Sequence, residues 1–422
     1  MIALVDCNSF FCSCERLFRP DLWKRPVGVL SNNDGCFVSR TKELKALGVK
    51  MGQPYYQVKE LCEKNRVAVF SSNFSLYSNI SDRVMRVLAS FAPDIAVYSV
   101  DEAFLDLSGI PVGELRALAI KIRQQVWREV GVPVSVGIGA TKVLAKAANQ
   151  LAKKDESLKG VMLLCTQEQR EAGLKELAIG EIWGVGRRSA EKFSSMGIKT
   201  AWDLCQSHDE KRIQKNFTKV GRVLQDELRG IPCMSFSVAK NRKQQIICSR
   251  SFGSPVFSAA EIKEAMARHL VRGAEKLRNQ KSLCQVLFLF YHTSPFRHTP
   301  QRSVKELVTL AYPTQDTRKL IEVANEVVDQ TFQGGYSYNK AGIGLYHLID
   351  EEAEQLSLFT GADSEKDRVL MQTIDSINRR EGPLTLRPMA CGVNKKKQNW
   401  TMKQDSLSSR FLTGWSQLKK VK

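Results

Sequence analysis

Tyr98-Ser99-Val100-Asp101-Glu102-Ala103-Phe104-Leu105-Asp106 sets an acidic pair between two strand-like runs, Ala96–Val100 and Ala103–Leu107. That pattern predicts a tight hairpin whose tip carries both carboxylates. A second strand-end acid, Asp6, closes the apolar run Ile2–Val5. Val67–Phe70, Val134–Ile138 and Val161–Leu164 also read as strands. Leu115, Leu118, Ile122 and Val126 recur at helical spacing and predict a helix over 113–130 with one buried face. Residues 1–165 therefore read as alternating strands and helices, interrupted at 18–66 by a polar, glycine- and lysine-rich insertion. The insertion carries the turn signal Ser31-Asn32-Asn33-Asp34-Gly35.

Working outward, residues 166–231 read as all-helical. Ile182-Trp183-Gly184-Val185-Gly186 precedes a helical stretch to Met196, which suits a helix-hairpin-helix. Gly184 and Gly186 would let the backbone approach a phosphate, beside Arg187 and Arg188. An ordinary helical packing unit is the alternative. Residues 232–245 read as a basic linker. The pattern then repeats itself: strand 246–253, helix 259–278, strand 284–291, strand 303–311, helix 317–332, strand 340–349. Such a β-α-β-β-α-β unit makes a four-stranded sheet with both helices on one face, leaving the other face free for a ligand. Ser258 and Glu261 predict a capping box, with Phe257 stapled onto Ile262. A last helix is expected at 367–379, before a basic stretch with Lys395-Lys396-Lys397. The tail from 360 on is expected to be only partly ordered alone. The fold class is α/β, in several domains.

The chain has 422 residues, with 63 Lys+Arg against 44 Asp+Glu and a formal charge of +19. That excess points to a polyanionic partner, and nucleic acid fits better than a membrane surface. No apolar run approaches the ~20 residues of a membrane span; the longest are short, such as Val286–Phe290. The N-terminal MIALVDCNSFF reads as a first strand rather than a signal peptide. Eleven cysteines with no C-x-x-C pair argue against a zinc site or a disulfide framework, so a reduced, cytoplasmic setting is expected. The five histidines are assigned no chemistry.

Bringing Asp6 beside Asp101 and Glu102 would gather three carboxylates, which like-charge repulsion forbids unless cations neutralise them. Oxygen-only ligands select hard ions such as Mg2+, and two such ions would activate an attacking oxygen and steady a leaving phosphate. From spacing alone, surface acids at strand ends remain the alternative.

Asp6-x-Asn8-x-Phe10-Phe11, the Tyr98–Asp106 segment, Ala140-Thr141-Lys142-x-x-Ala145-Lys146 and the Gly184/Gly186 hairpin occur here in the order seen in Y-family translesion DNA polymerases. The resemblance runs over nearly the whole chain. The Leu30–Gly35 turn and the long basic tail are most similar to the UmuC-type branch, the catalytic subunit of bacterial DNA polymerase V. The resemblance implies a right-hand-like architecture: palm at 1–17 and 67–165, fingers at 18–66, helical thumb at 166–231, little finger at 246–350, and a clamp-binding and partner-binding tail at 351–422. It implies that Asp6, Asp101, Glu102 and the Cys7 carbonyl hold two Mg2+ ions, Asn8 replacing an acid found in many relatives. Phe11 matches an aromatic steric gate against a ribose 2′-hydroxyl, with Phe10 beside it; core packing is the bland reading of both. Lys153 and Lys45 match cations that grip the triphosphate of a dNTP, Lys45 replacing an arginine. Lys42 stands where many relatives carry tyrosine. A solvated helix charge is the alternative for each of Lys42 and Lys45. Gln355, Leu356, Leu358 and Phe359 look like a sliding-clamp motif; the alternative is that they fold back onto the little finger.

The implied activity is low-fidelity, template-directed DNA synthesis across damage in SOS mutagenesis. The implied partners are a damaged primer–template, dNTP, the sliding clamp, a processed UmuD-like dimer and the RecA filament, with no membrane. The alternative is a catalytically silent DNA-binding scaffold, for which three converging acids have no use.

Overall fold

A computed structural model describes residues 1–236, 242–353, 362–392, 400–412 and 417. The chain divides into two compact units. Met1–Ser31, Gly35–Ala239 and Ser406–Lys422 form the first; Asn32–Asp34 and Lys240–Asp405 form the second.

The first unit contains, in chain order, β1 (Ile2–Cys7), α1 (Phe10–Leu17), β2 (Val27–Leu30), β3 (Phe37–Arg40), α2 (Lys42–Ala46), α3 (Lys59–Lys64), β4 (Ala68–Ser71), α4 (Phe74–Ala89), β5 (Ile95–Val97), β6 (Glu102–Asp106), α5 (Leu115–Val130), β7 (Val134–Gly139), α6 (Lys142–Lys154), β8 (Val161–Leu164), α7 (Gln167–Lys175), α8 (Arg187–Ser195), α9 (Ala201–Gln206) and α10 (Glu210–Leu228). Five strands form one sheet in the order β5-β6-β1-β7-β8. β1 lies antiparallel between β6 and β7, and only β7–β8 is parallel.

Successive residues of a strand face opposite sides of the sheet. Ala3 and Val5 enter a core with Leu76, Ile80 and Val84 of α4 and with Ala119, Ile122 and Val126 of α5. Leu4 and Phe104 turn the other way and meet Ala145 of α6. The sheet is thus sandwiched between α4/α5 and α6. Close packing of α6 depends on glycine in β7. A Cβ on Gly137 would lie 2.1 Å from the Asn149 backbone nitrogen and 2.3 Å from the Ala145 carbonyl oxygen.

The predicted strand at 67–70 forms as β4, in a small sheet separate from the five-stranded one. β2 is buried along its whole length, so it needs a partner on each edge. It pairs antiparallel with β3 and parallel with β4, giving the order β3-β2-β4. Residues 166–231 are helical as expected, although the element before the Gly184 turn is a single 3-10 turn, Ile179–Glu181. There Ala178 bridges Thr200 and keeps the chain extended.

The second unit contains β9 (Ile246–Val256), α11 (Ala259–Asn279), β10 (Ser282–Thr293), β11 (Ser303–Thr314), α12 (Thr317–Thr331), β12 (Tyr338–Asp350) and α13 (Glu365–Glu381). The expected β-α-β-β-α-β repeat is present, with longer strands in the antiparallel order β11-β10-β12-β9. Leu287, Leu289, Ile343 and Leu345 bury against Leu270 and Ala274 of α11 and Leu320 and Val328 of α12. The opposite pleat carries a stacked aromatic row, Phe288 with Phe290 and Tyr346 at 5.5 and 5.8 Å. Ser258 caps α11 by accepting from the Glu261 nitrogen. Phe257 stays 61% exposed, so the expected staple contributes little. The tail helix α13 is docked: Arg278 of α11 donates to both oxygens of Asp375, at 2.6 and 2.8 Å. The Asn32–Asp34 turn has left-handed φ of 59° at Asn33 and 50° at Asp34, which asparagine and aspartate tolerate. Among the described residues, no helix is long and apolar enough to cross a membrane, and all eleven cysteines are free.

Candidate active site

Register brings the first acids together. Asp6 of β1 lies opposite Glu102 of β6, and the Cys7 nitrogen donates to the Asp101 carbonyl at 2.9 Å. Asp6 and Glu102 share the pleat of Leu4 and Phe104, the face covered by α6. Lys146 and Lys153 are seven residues apart on that helix, about two turns, and so share one side of it. Lys153 Nζ meets Asp6 Oδ1 at 2.5 Å, and Lys146 Nζ meets Glu102 Oε2 at 2.8 Å. Lys146 is further held over the rings of Tyr98 and Trp183, at 4.4 and 5.0 Å.

Asp6 is only 7% exposed. Burial pushes its carboxyl up to about 7, the hydrogen bond with Glu102 adding to that and Lys153 opposing it. Glu102 moves down despite its own desolvation, because it receives hydrogen bonds from Asp6 and Lys146. The two carboxyls are thus pushed in opposite directions, as adjoining acids are when too little positive charge is at hand. The third expected member stands apart: Asp101 accepts from the Ser99 hydroxyl at 2.5 Å. Among the described residues, no three acid, cysteine or histidine side chains are already arranged as a metal set. Two acids meet each other, and the third lines the same small cavity as Asp6.

That cavity, about 220 Å3, is also lined by Cys7, Phe10, Phe11, Lys45 and Lys153, so most of the predicted residues converge there. Phe10 is buried in the core at 3% exposure, and it also lines the cavity. Phe11 stacks on Tyr77 with ring centroids 4.5 Å apart. Desolvation and the nearby cations Arg40 and Lys153 hold the Lys45 ammonium below the usual lysine value. Lys42 does not line the cavity; it is exposed and paired with Glu156 at 2.7 Å. Asn8 is engaged internally, its Oδ1 accepting from Ser135 at 2.9 Å.

In the hairpin, Gly184 has φ +89°, and a Cβ there or at Gly186 would meet nothing. Gly186 caps α8 with its backbone alone. Arg187 is exposed and pairs with Glu191. Gln355, Leu356, Leu358 and Phe359 lie outside the described residues.

Three contributors went unassigned in the sequence. Arg40 lines the cavity with its Nε buried and unpartnered. Ser9 takes a left-handed φ of 47°, and its hydroxyl donates to the Arg40 carbonyl at 2.8 Å; such strain in a non-glycine residue marks functional sites. Lys146 stood in a quoted motif, and its seven-residue spacing from Lys153 was the readable signal.

A five-stranded catalytic sheet with an inserted small sheet, a helical segment and a βαββαβ unit defines a class, that of the Y-family DNA polymerases, with palm, fingers, thumb and little finger. A Y-family DNA polymerase chimera assembled from Dbh and Dpo4 matches with TM-score 0.65 at 20% identity, over 83% of this chain and 100% of that one. A Dbh ternary complex matches with TM-score 0.54 at 19% identity over the same shares. The chain belongs to the impB/mucB/samB family, whose first domain matches residues 5–150 and whose C-terminal domain matches 243–358. Residues 368–421 match a domain of unknown function. Protein UmuC of Salmonella typhimurium strain LT2 is 40% identical over 100% of both chains, and Protein ImpB of Salmonella typhimurium 39% over 98% of both. DNA polymerase IV of Desulfatibacillum aliphaticivorans is 28% identical over 94% of this chain and 98% of its own. By family and by fold this is a Y-family DNA-directed DNA polymerase.

Proposed function

We propose that the protein performs low-fidelity translesion synthesis within SOS mutagenesis, joining the α-phosphate of a dNTP to a primer 3′-hydroxyl with release of pyrophosphate. One observation carries this reading: Asp6, bonded to Glu102 and to Lys153, lines one cavity with Asp101, Lys45 and Phe11. The donor set is all oxygen, and the two ammonium groups drawn to Glu102 and Asp6 answer a demand for positive charge, so these residues fit divalent ions. Asp6, Asp101, Glu102 and the Cys7 carbonyl would hold two Mg2+. When bound, Mg2+ supplies Lewis-acid activation of the attacking oxygen and neutralises the pyrophosphate. Lys153, Lys45 and Arg40 would orient the triphosphate and stabilise charge on its oxygens. Phe10 and Phe11 would wall the sugar, Phe11 excluding a 2′-hydroxyl. Lys42 would act, if at all, only after leaving Glu156.

The palm would comprise 1–17 and 67–165, with fingers at 18–66, thumb at 166–231, linker at 232–245, little finger at 246–350 and tail at 351–422. Gly184, Gly186 and Arg187 would grip the duplex backbone, which positions DNA without reading sequence. The 355–359 motif would tether the sliding clamp, and the tail would meet a processed UmuD-like dimer and the RecA filament in the cytoplasm.

The test is primer extension with Mg2+ on an undamaged and an abasic template. Asp101→Ala and Glu102→Ala should each abolish nucleotide addition while primer–template affinity stays near the parent's. Substantial extension by both variants would refute the catalytic assignment and favour the scaffold.

A further inference from the structure

Beneath Phe11 runs a buried polar chain that the reaction itself does not use. Phe11 stacks face to face on Tyr77, at 4.5 Å and 13°. Tyr77 is 1% exposed, and its hydroxyl donates to Glu15 Oε1 at 2.8 Å. Glu15 is 0% exposed, and its Oε2 meets no partner. A buried carboxyl with so few donors is costly and depends on each one it has.

Its second donor comes from the far end of the chain: Ser408 Oγ donates to Glu15 Oε1 at 3.1 Å, 393 residues away in sequence. Ser408 in turn accepts from Asn73 Nδ2 at 2.9 Å, and Asn73 caps α4, the helix that carries Tyr77. The surrounding segment is seated on the catalytic unit. The Ser71 nitrogen donates to the Ser406 carbonyl at 2.9 Å, and the Ser406 nitrogen to Ser71 Oγ at 3.0 Å. Phe411 stacks on Phe18 at 4.6 Å and 8°.

We propose that residues 406–412, in the stretch matching a domain of unknown function, are a positioning element for the sugar pocket. Ser408 holds Glu15, Glu15 holds the Tyr77 hydroxyl, and Tyr77 fixes the plane and depth of Phe11. Steric repulsion falls off steeply with distance, so a ring free to settle slightly deeper admits a 2′-hydroxyl. This inference rests on the reading of Phe11 as the gate.

The test measures kcat/KM for a dNTP and its matching rNTP in full-length protein, alongside the melting temperature. Phe11→Ala reports on the gate alone and should collapse the deoxy-to-ribo ratio. Ser408→Ala and Tyr77→Phe should each lower that ratio roughly three- to tenfold, the scale of one lost hydrogen bond. Ser408→Thr, which keeps the hydroxyl, should restore the parental ratio. If Ser408→Ala does not fold, Tyr77→Phe, which removes only the hydroxyl, decides. A ratio that falls in Phe11→Ala but stays parental in Ser408→Ala and Tyr77→Phe overturns the inference and leaves the gate standing. Equal losses for both nucleotides mean a structural strut and also overturn it. An unchanged ratio in Phe11→Ala removes the gate, and this inference with it.

Discussion

The imidazole of His269, on α11, has its Nε2 buried without a hydrogen-bond partner. Burial, with Arg250 and Arg272 nearby, lowers it from 6.5 to about 4. In the unfolded chain the ring takes a proton near 6.5; in the folded chain it stays neutral until about 4. Its contribution to stability is therefore whole above pH 6.5 and is lost as pH falls from 6.5 to about 4, by roughly 3 kcal/mol. Glu15 acts in the opposite sense. Its folded value is raised to about 7 by burial, so stability from the protonated acid is whole below about 4.5 and is lost as pH rises toward 7. Urea melts between pH 4 and 7 should show His269→Gln losing less stability on acidification than the parent. Parallel curves would mean that the ring is not held neutral. Nothing in the sequence separated His269 from the other four histidines, because burial and unpaired nitrogens belong to the packed state.

At the scale of elements, the site depends on how closely α6 approaches β7. Leu4 faces Gly137 across the β1–β7 register, and the missing side chain there lets Asn149 donate to the Ser135 carbonyl at 2.8 Å. Gly137→Ala places a methyl group against backbone, which side-chain rotation cannot relieve. The helix must lift, carrying Lys146 and Lys153 away from Glu102 and Asp6. Overpacking of this kind costs about 1–3 kcal/mol. The variant should melt several degrees lower and lose more nucleotide addition than primer–template affinity. Parental activity at a lowered melting temperature would show that the lysines need no such closeness. The Gly-x-Gly of β7 was visible in the sequence, but its partner helix was not.

At the scale of the whole molecule, the charge of +19 should govern duplex binding. Each neutralised phosphate contributes a slope of about −0.9 in log K against log salt. Affinity should fall steeply and nearly equally for unrelated sequences as salt rises; a shallow slope, near one or two phosphates, would contradict backbone gripping. The clamp motif makes a separate prediction. Leu358→Ala with Phe359→Ala should remove clamp-stimulated extension while basal extension and melting temperature stay parental, because a short peptide anchor concentrates its energy in a few apolar residues. A melting temperature lowered by many degrees would instead place both residues in the core.

The sequence by itself determined the elements and the chemistry available to them. Periodicity is a local property, so the helix at 113–130, the strands at 134–138 and 161–164, and the repeat over 246–349 were all legible. So were the acids at strand ends and the glycines at 184 and 186. Only the tertiary structure decided the pairings. β4 joined β2 and β3 rather than the five-stranded sheet because the buried β2 had an edge to fill. Asp6 met Glu102 and Lys153, and Asp101 turned to Ser99, because register and helix approach set which charges lie within reach. Ser408 reached Glu15 across nearly the whole chain. Contacts between such distant segments arise from packing that satisfies every buried group at once, and no local stretch of sequence carries that information.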